Sequence, residues 1–120
     1  MKAITIRQPW ASLIMAGIKT VENRTWRTSY RGPLLIHAGA GTDREAMARY
    51  GHLLPGWPAG VILGTVDLAG CVRDHPSPWA EPDCWNWLLA RPRPLAVPVP
   101  ARGRLGLWDV PDALAEGTGQ

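Results

Sequence analysis

Lys19, Glu22 and Arg24 stand close together in Gly17-Ile18-Lys19-Thr20-Val21-Glu22-Asn23-Arg24, a stretch flanked by residues that otherwise read as buried. An amine, a carboxylate and a guanidinium at this spacing can grip an anion or a base edge. With the amine deprotonated they can also supply a base or a nucleophile. Burying such charges without partners costs several kcal/mol, so they must satisfy one another or face a ligand. A neighbouring carboxylate favours the charged form of an amine. The expectation is therefore a protonated Lys19 that binds anions, with Glu22 orienting Lys19 and Arg24 toward a phosphate or a base edge. The structural alternative is a buried ion network that locks a helix to a sheet. If the chain were an enzyme, Lys19 and Glu22 would be the pair at the chemistry.

The elements that position these groups follow from periodicity. Lys2 to Arg7 alternates apolar and polar residues and reads as a first strand. Pro9 suits a first helical turn, Trp10, Leu13, Ile14 and Ile18 recur at helical spacing, and Gly17 terminates. From Val21 to Trp26 the period returns to two. That places Glu22, Arg24 and Trp26 on one sheet face and Val21, Asn23 and Thr25 on the other. Trp26 then offers a ring on which a base can stack.

Further along, Arg27 to Gly32 reads as a basic turn and Leu34 to Ala38 as a buried strand. Gly39 to Thr42 reads as a small-residue loop, and Thr42 with Glu45 as a capping box opening a helix to Tyr50. Gly60 to Arg73, Cys84 to Ala90, Leu95 to Val99 and Leu107 to Val110 read as strands. Arg91-Pro92-Arg93-Pro94 separates the middle two, and three prolines break Asp74 to Asp83. About six strands with two short helices make an α+β chain with a small barrel-like sheet. It forms one domain over residues 1–111 with a polar tail at 112–120.

Charge is uneven. Residues 1–42 carry six basic residues against Glu22 alone, and residues 91–104 carry four with no acid, although the net charge is only +3. If these segments meet, Arg27, Arg31, Arg102 and Arg104 form a positive face that tracks a phosphate backbone. Trp108, close to Arg102 and Arg104, either caps the cleft or enters the core. Trp10, Trp85 and Trp87 read as core. His37, in an apolar strand, reads as a hydrogen-bonded core histidine. Cys71 and Cys84 lack metal-ligand spacing and suit a reduced, cytoplasmic protein, and no metal or cofactor is implied. The apolar run Ala11 to Ile18 is too short to span a bilayer, so no membrane partner is expected.

Gly17, Lys19, Glu22 and Arg24 match the Gly-x-Lys-x-x-Glu-x-Arg signature of the ASCH (activating signal cointegrator homology) domain, a branch of the PUA-like superfamily. Arg7-Gln8-Pro9-Trp10-Ala11 and Arg31 to Ala38 resemble its cointegrator-type subgroup. Trp87-Leu88-Leu89, Arg91-Pro92-Arg93, Pro98-Val99-Pro100 and Gly103 to Trp108 resemble its closing strands. The resemblance spans residues 1–111. It implies a PUA-like β-barrel with a cleft beside the signature strand, and binding of RNA or DNA; the expectation for this chain is a monomer that takes a single strand or a nucleotide in that cleft. Some bacterial members are ribonucleases or amidohydrolases of acylated cytidine, so a hydrolase acting on RNA or a modified nucleoside is the alternative. Amidohydrolase relatives carry threonine where this chain has Glu22, so their mechanism is not carried over. A protein-interaction domain with a structural charge network is the remaining alternative.

Overall fold

The computed structural model describes residues 1–111; the 112–120 tail lies outside the described residues. Six strands form one sheet: β1 (Lys2–Gln8), β2 (Val21–Arg24), β3 (Gly32–Thr42), β4 (Val61–Val72), β5 (Trp85–Pro100) and β6 (Leu107–Asp109). Two short helices, α1 (Trp10–Met15) and α2 (Arg44–Tyr50), pack with them, and a 3-10 turn (Gly51–Leu53) follows α2. This is the α+β chain the periodicity predicts. The spatial order is β2-β5-β4-β3-β1-β6, so the sheet is open with β2 and β6 at its edges. The PUA-like barrel fits it only roughly. No helix among the described residues is long and apolar enough to cross a membrane.

Both sheet faces are covered, which explains why Leu34 to Ala38, apolar except for His37, is buried at every position. Ile4, Ile6, Leu34, Ile36, Val66 and Trp87 pack on one face with Ala11 and Ile14 of α1. Ala3, Leu35, Ile62, Trp108 and Val110 pack on the other. β1 and β3 run parallel, with Thr5 opposite His37, and every other neighbouring pair is antiparallel.

Three local readings need correction. β3 continues through Gly39 to Thr42, because Thr42 pairs with Gln8 of β1. Asp43 therefore caps α2 in place of Thr42, its carboxylate accepting from the Ala46 N–H at 3.0 Å. The segments split at Arg91–Pro94 form one strand, β5, which shifts register against β4 between Leu68 and Gly70, Thr65 and Asp67, and Ile62 and Gly64. Such irregularities let prolines, which lack a ladder donor, sit within a strand.

The α1 end shows why the signature turns as it does. The helix stops at Met15, and Gly17 takes a left-handed φ of +77°. Its N–H bonds to the Ile14 carbonyl, while the Ile18 N–H reaches back to Leu13, both at 3.0 Å. This Schellman closure satisfies the last helix carbonyls and launches Lys19 toward β2.

Candidate functional site

The turn delivers Lys19 to a nearly dry position. Lys19 is 5% exposed, and its Nζ donates to the Val21 carbonyl and lies 3.3 Å from Glu22 Oε1. Glu22 and Arg24 share a face of β2 as the alternation predicts, and Arg24 Nε donates to Glu22 Oε2 at 3.0 Å. Arg24 Nη2 donates to the Thr5 carbonyl of β1 at 2.9 Å. Both Glu22 oxygens are thus held by cations, and the triad bridges α1, β2 and β1. The pair that a hydrolase would use, Lys19 and Glu22, is bound to itself.

This triad forms one wall of a cleft of about 1020 Å³. Trp26 sits at the rim just beyond β2, its ring edge-on to buried Trp87 with centroids 4.8 Å apart. Trp10, Tyr50 and Trp79 add aromatic lining to the same cleft. Trp10 donates its indole N–H to Asp43 at 3.1 Å, and Lys19 Nζ lies 5.2 Å from its ring centroid. Trp10, Tyr50 and Trp79 contact pairwise, with centroids 5.6 Å (Trp10–Tyr50), 6.4 Å (Trp10–Trp79) and 5.4 Å (Tyr50–Trp79) apart. At those separations the three rings fill the space between themselves. They present a surface, not a cage.

Asn23 fixes the loop that supplies Trp79. Its Nδ2 donates to the Trp79 carbonyl at 3.0 Å, and its Oδ1 accepts from the Glu81 N–H at 3.1 Å and from fully buried Asn86 at 2.9 Å. On the far side, the Ala46 N–H holds the Asp43 carboxyl below the usual carboxylate range, and the Trp10 indole and the charge of Arg7 act in the same direction. Asp43 therefore stays ionised and keeps Trp10 in place.

The charges lining the cleft balance. Arg7, Lys19, Arg24 and Arg49 face Glu22, Asp43, Glu45 and Glu81. A balanced, aromatic-walled cleft suits a flat, polar, uncharged group better than a run of phosphates.

The predicted site residues are not all gathered here. Lys19, Glu22, Arg24 and Trp26 line the cleft; Arg27, Arg31, Arg102 and Arg104 do not. Arg31 donates to the Thr28 and Tyr30 carbonyls at 2.9 and 2.8 Å. Arg102 and Arg104 flank a separate depression of about 500 Å³ with Thr5, His37 and Gly103. Thr5 lines both hollows. Trp108 is buried outside the cleft, edge-on to His37 at 5.8 Å, its indole N–H 3.3 Å from Thr5 Oγ1. It belongs to the core. His37 is buried as expected, its Nε2 bonded to the Ala101 carbonyl at 2.6 Å, while Nδ1 has no partner among the described residues.

Trp10 is a correction in the other direction. It is half-buried and forms a cleft wall, whereas Trp87 is wholly core. Tyr50, Trp79 and Asp43 are cleft residues the sequence reading missed, as are the charged Arg7, Glu45, Arg49 and Glu81. The N-cap chemistry of Asp43 was a signal for its position; Trp79, in a proline-rich loop, gave none. Among the described residues no group of three or more His, Cys, Asp or Glu is placed to hold a metal ion.

An open six-stranded sheet whose second strand and helix-ending turn build this triad is the setting the signature requires. The ASCH domain family model matches residues 4–94, and the chain belongs to that family. It is 31% identical over 134 aligned positions to activating signal cointegrator 1 of Homo sapiens, and equally to that of Mus musculus. Each alignment covers 95% of this chain but 23% of the relative, so the chain spans less than a quarter of their length.

Proposed function

We propose that this chain is a nucleic-acid-binding domain that takes one base of a single-stranded RNA or DNA, or a nucleotide, in the cleft beside Lys19, Glu22 and Arg24. Membership of the ASCH family supports the class of ligand. The observation that carries the reading is a cleft that combines aromatic rings with charges that cancel over its whole lining. The rings of Tyr50 and Trp79 offer a base a surface to stack on. Arg24 keeps N–H groups beyond those given to Glu22 and Thr5, and these can read a base edge. Phosphates stay at the rim, where cations are not spent on carboxylates.

Fluorescence anisotropy with a labelled oligo(U) and oligo(dT) at low ionic strength tests this. Saturable binding that weakens as salt rises is expected, because neutralised phosphates release counterions. Trp79→Ala removes a stacking surface worth about 1–3 kcal/mol, so affinity falls by about tenfold. Absence of saturable binding by the folded protein refutes the proposal.

A further inference from the structure

Binding a base in a charge-balanced cleft leaves open where the adjoining phosphate is held. The cations of the triad are committed, Lys19 and Arg24 both to Glu22. Arg91 and Arg93, midway along β5, are committed to Asp67.

Two guanidiniums at the near end of the sheet are not. Arg27 follows Trp26 out of β2, Arg73 follows the last residue of β4, and Trp85 opens β5. In the ladder Arg24 lies opposite Trp85 and Val72 opposite Asn86, so three neighbouring strands bring these side chains to one sheet end. Arg27 Cζ lies 5.9 Å and Arg73 Cζ 5.3 Å from the Trp85 ring centroid. Neither guanidinium has a carboxylate within 4.0 Å among the described residues, although Asp74 and Asp83 lie in the adjoining turns. Trp85 is half-buried against the core, which makes it a firm shelf. Two guanidiniums drawn to one indole, neither paired with a carboxylate among the described residues, offer an anion a place to bind.

We propose that Arg27 and Arg73 form a phosphate clamp on the Trp85 shelf. It holds the phosphodiester that adjoins the cleft-bound base, so the strand leaves the cleft past Trp26 and crosses the end of β2 and β5. This assignment rests on the cleft reading above. It specifies the path of the chain and the ligand class: an oligonucleotide with at least one phosphate beyond the bound base.

The salt dependence of oligo(dT) and oligo(U) affinity tests it in the whole protein. Arg27→Ala/Arg73→Ala should lower the slope of log K against log salt by about 0.7, the contribution of one single-strand phosphate. Affinity at low salt should fall about tenfold. Arg27→Lys/Arg73→Lys should restore the slope, which a merely structural role for the arginines would not predict. Trp79→Ala should weaken binding with the slope unchanged. An unchanged slope in the double alanine variant overturns the clamp and leaves the cleft reading standing. If Trp79→Ala is neutral while the double variant still loses slope, the cleft reading fails and with it the placement next to a bound base. If heparin binding responds to the double variant and oligonucleotide binding does not, the patch takes another polyanion and the proposal is overturned.

Discussion

Replacing Glu22 with glutamine removes one charge and almost no volume, so it isolates what the carboxylate does. Its two oxygens hold Lys19 at 3.3 Å and Arg24 at 3.0 Å, and the residue is 7% exposed. In the variant one amide oxygen can still accept, but the amide NH₂ must face a cation. Lys19 keeps the Val21 carbonyl and the face of the Trp10 ring, but no opposite charge. Breaking a buried pair from one side costs about 3–5 kcal/mol, since the surviving charge remains desolvated. Arg24 is partly solvated and can turn to water, which places the expectation near the lower end, about 3 kcal/mol. For a chain of this size that lowers the melting temperature by roughly 10 °C. Lys19→Met should cost less, because Glu22 retains Arg24. Lys19→Met/Glu22→Gln should be more stable than Glu22→Gln alone. Urea unfolding followed by far-UV circular dichroism measures all three. A loss below about 1 kcal/mol for Glu22→Gln, the range of exposed pairs, would refute the claim that the network is desolvated.

Asp43→Ala removes the α2 cap and the partner of the Trp10 indole. It should cost about 1–2 kcal/mol in urea unfolding and shift tryptophan emission. Gly64→Ala drives a methyl into the Arg93 carbonyl and toward Met15 Cε at 2.7 Å and Pro94 Cα at 2.8 Å, so about 3 kcal/mol or more is lost. Gly56→Ala, with nothing within 4 Å, stays within about 0.5 kcal/mol of the parent on the same assay. Hydrogen bonds from Arg93 and Arg91 draw the Asp67 carboxyl down from 3.8 to about 2. Its contribution is whole above 3.8 and is lost as pH falls toward 2. The stability gap between the parent and Asp67→Asn should therefore hold at neutral pH and close in acid, as urea titrations across that range would show.

Local chemistry was legible where a residue's role depends on near neighbours. The alternation in Val21–Arg24 predicted the Glu22–Arg24 pair, and Gly17 predicted the helix end. Reading failed where a distant strand decided the outcome. Thr42 has the side chain of an N-cap, but its backbone is claimed by Gln8 of β1, which moves the cap to Asp43. Arg91 to Pro94 carries the composition of a break, yet β4 alongside holds it in a ladder that tolerates slips. Trp10 shows the same limit. Its helical spacing with Ile14 cannot tell a core position from a cleft wall, because the partners that decide, Asp43, Tyr50 and Trp79, come from segments 33 to 69 residues away. The open sheet, too, is a matter of strand order, which periodicity does not encode.

The β1–β6 edge carries a consequence for how this body can be joined to other protein. Val110 N–H bonds to the Met1 carbonyl at 2.9 Å, and Lys2 pairs with Asp109 at 3.1 Å. Residues 1 and 110 therefore emerge side by side, like the two ends of a handle. A host chain can receive this body in a surface turn without parting the strands on either side of the insertion point. By the same geometry, a short peptide tying residue 110 to residue 1 would let the chain be opened elsewhere, at the Gly56 loop for instance, with every strand pairing retained.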